Sequence, residues 1–379
     1  SPGHCMTMGT ASTMAALLEA LGMALPGSAA MPGADARRGV LAERTGREIV
    51  ELVKRGTRPS EIMTERAFEN AVRVLLAIGG STNAVIHLAA VAGRVGIGLP
   101  PSEFDDLSRT TPMIVDLKPS GAYLMEDLFY AGGIPAVLAR LAPLLHMGEM
   151  TVNGRTLAEN VAGARSYNDE VIHSLERPIH AEGGLAVVTG SLAPDGAVIK
   201  QTAASPKLMR HRGRAVVFED AADLRARIDD PALDVTPDDV IVMKNAGPVG
   251  GPGMPEWGFL PIPRKLLEAG VRDIVRISDA RMSGTAFGTI VLHVSPEAAV
   301  GGPLALVQDG DEIELDVPNR RLDLLVDAGE LARRGKAWRV RPAHFDRGYG
   351  KLYVDHVMQA QHGCDFDFLR GKSPVETLV

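Results

Sequence analysis

NAGPVGGPGMPEWGFLPIPRKLLEAGVRDIVRISDARMSGTAFG, from Asn245 to Gly288, holds two turns that each follow an apolar run. IVM precedes the first and DIVRI the second, so both turns are expected at strand ends, where open α/β sheets gather ligands. In the first, Gly247, Gly250, Gly251 and Gly253 let backbone approach a ligand without Cβ interference, while Pro248, Pro252 and Pro255 stiffen the path that aims Glu256. A single acid on a stiff loop suits a hard cation. No Gly-Lys-Ser/Thr ending follows, which argues against a phosphate cradle. The second turn presents Ser283 between Met282 and Gly284. Taken singly, a structural turn with an exposed Glu outweighs a site by roughly two to one, and a serine there is commonly a turn residue. A Ser-His-acid hydrolase would want a GxSxG elbow, which the chain lacks. The two polar loops are expected to share one crevice.

Composition bounds the remaining readings. With 379 residues, 45% hydrophobic and 23% charged, the chain is long enough for two domains and too apolar to be disordered. A net charge of -7 gives no electrostatic reason to expect nucleic acid or an anionic membrane as partner. No apolar run approaches spanning length, and the first residues lack the basic-then-apolar pattern of a secretory signal. Two cysteines, Cys5 and Cys364, cannot build a disulfide framework, so a reducing cytoplasm is the expected compartment.

Along the chain, a helix is expected over about Thr10 to Leu21, capped by Thr7, Thr10 or Ser12 and stopped by Gly22 and Pro26. Cys5 lies just before it, where exposed N–H groups favour thiolate and hence metal ligation; the competing reading is a small buried hydrophobe. Further helices are expected from Ala34 to Lys54 and from an N-cap at Thr64 to Gly79–Gly80. Ser81, Thr82 and Asn83 then open another helix, and would either hold a carboxylate or sugar hydroxyls or merely cap it, capping being favoured. His87 reads as a core histidine, Lys118 and Glu126 as surface residues, and Cys364 as structural. Asn153–Gly154 is a hairpin signal read as a hinge between domains.

After about Gly163 strand-like runs dominate. The PDG turn and the runs flanking Asn319 look like antiparallel hairpins. The expected fold class is α/β: a helix-rich remainder of an α/β domain over residues 1–163, then a β-rich, barrel-like domain with flanking helices over residues 164–379. It is not expected to be a doubly wound nucleotide domain.

Several strings are jointly more specific than any one. GHCMTMGTASTMAALLEALG, GGSTNAVIHL, SGAYLMEDL, GGLAVVTGSLAPDGAVIK, NAGPVGGPGMPE, SDARMSG and HVSPEAAVGGPLALVQDGDEIELDV resemble the family of dihydroxy-acid, phosphogluconate and sugar-acid dehydratases across essentially the whole chain. SDARMSGTAFG and the GCDFDFL tail are similar to the pentonate branch. The resemblance implies dehydration of an aldonate such as L-arabinonate or D-xylonate to a 2-keto-3-deoxy acid. It implies Cys5 as an iron–sulfur ligand (2Fe-2S rather than 4Fe-4S), Glu256 as a Mg²⁺ ligand, and Ser283 as an alkoxide base that the metal helps to hold. Thr285, Ser81, Thr82 and Asn83 would contact the substrate, and a homo-dimer or homo-tetramer is expected. Family members also carry a further N-terminal region with two more cluster cysteines and the acid and lysine that complete the Mg²⁺ site. The 379-residue polypeptide alone is therefore expected to be inactive. The alternatives are a dihydroxy-acid dehydratase of branched-chain amino-acid synthesis and a silent remnant serving as an assembly module.

Overall fold

The computed structural model describes residues 5–257, 259–342 and 344–371; Ser1 to His4, which open the first family-like region, lie outside the described residues. Two layers meet. The first is helical: α1 (Thr10–Ala20), α2 (Arg37–Arg55), α3 (Glu65–Ala77), α4 (Asn83–Arg94), α5 (Pro101–Thr110) and α6 (Gly133–Leu141). Helix α3 shows why these segments fold as they do. Thr64 Oγ1 accepts the Ala67 N–H at 3.1 Å, satisfying one orphan donor of the first turn, and Phe68, Val72, Leu75 and Leu76 repeat on one face that is wholly buried. Each such side chain stabilises the fold by about 1.5–3 kcal/mol.

Helix α1 corrects an expectation. Its N-cap is Gly9, with no side-chain cap. Thr10 is the first helical residue, and its hydroxyl meets Ser81 Oγ at 2.9 Å and accepts from Asn83 Nδ2 at 3.0 Å. A long-range polar contact has taken the group that local rules assign to capping.

The second layer is a sheet of eight strands: β1 (Ala186–Val188), β2 (Gly196–Ile199), β3 (Arg210–Phe218), β4 (Val240–Met243), β5 (Val275–Ser278), β6 (Ile290–Ser295), β7 (Glu312–Asp316) and β8 (Arg321–Leu324), in the order β1-β2-β6-β5-β4-β3-β7-β8. The PDG and Asn319 hairpins are antiparallel as expected, β1 on β2 and β7 on β8. The centre differs: β3, β4, β5 and β6 run parallel, neighbour to neighbour. Where these strands pair they are covered on both faces, and β4, VIVM, reads as one continuous apolar run with no alternation. Val240, Val242, Val275 and Ile277 join the core on one face; Ile241 and Met243 join Leu224, Ile228 and Leu266 on the other. The edges nearly close into a barrel, where Thr189 pairs with Arg321 and the Leu322 N–H donates to Thr189 O at 3.0 Å.

The layers are joined by apolar and ionic contacts. Val187 and Val198 pack into the helical core, and the buried Arg320 donates to Asp105 and Glu182, each at 2.6 Å. The Asn153–Gly154 turn belongs to the helical layer and is not a hinge between layers: the Val152 N–H donates to Gly22 O at 2.8 Å, and Leu157 and Val161 lie in the helical core. Among the described residues no helix is long and apolar enough to cross a membrane.

Candidate active site

Strands β4 and β5 pair in parallel from Val240–Val275 to Met243–Ser278, so their C-terminal ends open on the same edge. The two glycine-bearing loops leave from those ends and run together. The Trp257 N–H donates to Arg281 O at 3.1 Å and the Ser283 N–H to Trp257 O at 2.9 Å, one further step of parallel pairing that sets Trp257 against Met282 and brings the Glu256 and Ser283 turns together.

Buried acids shape the first loop. Asp279 accepts the N–H groups of Asn245 (3.2 Å), Ala246 (2.9 Å) and Ala298 (2.9 Å), while Glu297 accepts those of Val249 and Gly250. Burial, with the charge of Glu297 nearby, pushes the Asp279 carboxyl up to about 7 against these three hydrogen bonds. The glycines serve this packing: a Cβ at Gly247 would lie 2.7 Å from Glu297 Oε2, and one at Gly250 would lie 2.8 Å from the Asn245 backbone. What approaches the loop at these two positions is its own scaffold.

Beneath the second loop lies Arg276, fully buried. It pairs with Asp273 at 3.0 Å and donates to Leu260 O at 2.8 Å, while Asp273 accepts from the Thr289 N–H and hydroxyl. Gly288 passes so close that a Cβ would meet Arg276 Nη2 at 2.2 Å. This network anchors both ends of the Ser283 turn.

The helical layer closes the site. Asn83, fully buried at the start of α4, donates through Nδ2 to Glu256 Oε2 (2.7 Å), Thr10 Oγ1 (3.0 Å) and Met282 O (2.9 Å), touching α1 and both loops. Ser81 Oγ accepts the Asn83 N–H at 3.2 Å, and a Cβ at Gly284 would lie 2.6 Å from that hydroxyl. The N-cap position of α4 is Thr82, whose side chain makes no capping bond, so these residues serve the contacts to α1 and the loops more than the cap. Ser283 Oγ lies 2.8 Å from Thr285 Oγ1. Cys5 is exposed, 3.4 Å from Thr7 Oγ1, and sits at the same end: a methyl at Gly9 would be 3.1 Å from Thr285 Cγ2 and 3.6 Å from Cys5 Sγ. Glu256, Ser283, Thr285, Ser81, Thr82, Asn83 and Cys5 thus gather in one region of the fold.

Other residues sort as their surroundings dictate. Lys118 and Glu126 are exposed. His87 is half-buried, and burial with the Arg281 charge holds its pKa below the usual histidine value. Cys364 packs with Ile86, Met254 and Ala360, Sγ 3.3 Å from Met254 Sδ, and burial pushes its thiol up to about 12, as a structural cysteine should show. Sequence reasoning missed Thr10, Arg276 and Lys200. Lys200 closes the apolar run GAVI with no acid beside it, the one local hint that its ammonium goes inward.

The donors fit one side of a hard-cation shell. Glu256 offers a carboxylate, and the neighbouring Asn83 amide leaves Oδ1 buried with no partner among the described residues. They do not fit a whole iron–sulfur cluster. Cys5 is one thiol, Cys364 is committed elsewhere, and the described residues hold no group of three or more histidine, cysteine or acidic side chains placed to bind a metal.

Comparison with known proteins agrees with the motif reading. Residues 1–160 match the dihydroxy-acid/6-phosphogluconate dehydratase N-terminal model and residues 170–364 the C-terminal model. The chain is 57% identical to an L-arabinonate dehydratase of Rhizobium leguminosarum bv. trifolii over 93% of its length and 61% of the relative's. It is 49% identical to a 6-deoxy-6-sulfo-D-gluconate dehydratase of Pseudomonas putida (99% and 65%) and 46% identical to a dihydroxy-acid dehydratase of Methanothrix thermoacetophila (95% and 66%). It spans 61–66% of the length of these relatives. With both family models matched in order along it, the chain belongs to the dihydroxy-acid/6-phosphogluconate dehydratase family.

Proposed function

We propose that this chain carries the base-bearing part of a sugar-acid dehydratase acting on an aldonate of the L-arabinonate or D-xylonate class and releasing a 2-keto-3-deoxy acid. The observation that carries it is the seam in which Ser283, steadied by Thr285 at 2.8 Å, stands beside Glu256 held by Asn83. Removing water from a 2,3-dihydroxy acid requires taking a weakly acidic C2 proton while hydroxide leaves C3. Ser283 Oγ takes that proton, and Thr285 limits the directions in which the serine can turn. Ser81, Thr82, Asn83 and Thr285 supply polar groups for the hydroxyls. Glu256, with Asn83 Oδ1, would hold Mg²⁺, which supplies electrostatic stabilisation of the negative charge that builds on the substrate carboxylate and C2 oxygen. Cys5 would be one thiolate of an iron–sulfur cluster, 2Fe-2S rather than 4Fe-4S, with its other thiolates from outside these 379 residues. The 379-residue polypeptide by itself is then expected to be inactive, and the working protein a cytoplasmic homo-dimer or homo-tetramer.

Higher identity to sugar-acid dehydratases than to the dihydroxy-acid dehydratase favours an aldonate over a branched-chain precursor. A panel of aldonic and branched 2,3-dihydroxy acids offered to the full-length protein tests this. L-Arabinonate or D-xylonate should release keto acid, and Ser283→Ala should lower kcat by roughly 10²–10⁴, the usual worth of a positioned base. Turnover of only the branched acids, or full activity in Ser283→Ala, would overturn the reading.

A further inference from the structure

Lys200 follows β2 directly and is 6% exposed, with Nζ meeting no hydrogen-bond partner among the described residues. An ammonium in that position is costly, because a buried charge needs a partner or must shed its proton. Burial is the sole cause of the displacement of its pKa, down to about 7. Among the described residues no charge acts on it, the Arg276–Asp273 pair lying behind Gly288: the small cavity it lines is otherwise walled by Thr82, Met282, Ser283, Ala286, Ile290 and Leu292, with Gly284 and Gly288 between. That cavity measures about 20 Å³, too small for a sugar acid and large enough for one water, which needs about 10–15 Å³. Ser283 is half-buried and lines the same cavity.

We propose that Lys200 is a positioning residue that accepts the Ser283 hydroxyl proton through a single water in this cavity. The inference rests on Ser283 being the base, and it answers how so weak an acid gives up its proton. The neutral amine takes a proton from the water as the water takes one from Ser283, leaving an ammonium and an alkoxide with no net change in charge. The alkoxide then removes the C2 proton and becomes a hydroxyl again. The C2 electron pair forms the new double bond as the C3–O bond breaks, and the leaving hydroxide recovers a proton from the ammonium through the same hydrogen-bonded path. One water is released and the amine is restored.

Two measurements on the full-length protein test this. In the first, ¹³C-labelled lysine ε-carbons are titrated by NMR. One lysine should turn over near pH 7, be absent from Lys200→Met, and move its midpoint in Ser283→Ala; a Lys200 midpoint near the ordinary 10.4, or one indifferent to Ser283→Ala, would overturn the proposal. This readout needs no activity, so it judges Lys200 even if no aldonate is dehydrated, a result that would sink only the functional reading. In the second, kcat on L-arabinonate should rise with pH through about 7 in the wild type, following the neutral amine. Lys200→Met should lower kcat at least tenfold with KM unchanged and abolish that limb, and Lys200→Arg, permanently charged, should not restore it. An active Lys200→Met enzyme that keeps the limb would refute the relay alone.

Discussion

The two sides of the site are built to different standards of completeness. On the side of Ser283, Glu256 and Asn83, backbone pairing, a buried ion pair and a three-way amide leave little freedom: Asn83 alone bonds to Glu256, Thr10 and Met282 within 3.0 Å. On the side of Cys5, the thiol is exposed and its hydrogen-bond contact is with Thr7, two residues away. On the function proposed above, the first arrangement would serve proton transfer and the second would offer one metal donor, so the two sides should fail in different ways.

The largest structural effect is expected deep on the complete side. Arg276→Met leaves Asp273 buried without its cation and should destabilise the protein by about 3–5 kcal/mol in denaturant unfolding. A loss below 1 kcal/mol would show that the network is not what anchors the Ser283 turn. Gly284→Ala, whose methyl would meet Ser81 Oγ at 2.6 Å, should cost about 1–3 kcal/mol and open the seam between the layers.

The third effect is a pH dependence. The folded-state pKa of Asp279, near 7, lies above its ordinary 3.8, so between these values the folded state binds more protons than the unfolded state. Its contribution is therefore fully present below about pH 4 and is lost as pH rises through about 7. Glu19, raised to about 7 by burial, slopes the same way. Melting temperature should fall over this range, and less steeply in Asp279→Asn; an unchanged slope would mean that Asp279 is ionised throughout. The smallest effect belongs to the open side. Cys5→Ala should change stability by no more than about 0.5 kcal/mol while iron is lost from the full-length protein. Iron retained in full by that variant would remove Cys5 from any ligand set.

Much of this was legible in particular residues. Thr64 as a cap, the PDG and Asn319 hairpins and the two turns behind IVM and DIVRI follow from local chemistry and period, and each is found. The parallel pairing of β3 to β6 was not legible, because a strand buried on both faces shows no alternation to reveal its neighbours' direction. Thr10 misled because a hydroxyl at a helix start satisfies the capping rule equally well when it bonds to a residue 71 or 73 positions away.

The sequence by itself determined the family and the α/β class, since these depend on residue type and spacing along the chain. Tertiary structure alone decided that Asn83 would hold Glu256, that Gly247 and Gly250 would serve their own scaffold, and that Lys200, without a hydrogen-bond partner among the described residues, would line one cavity with Ser283. Those facts are distances between elements far apart in sequence, and packing sets them.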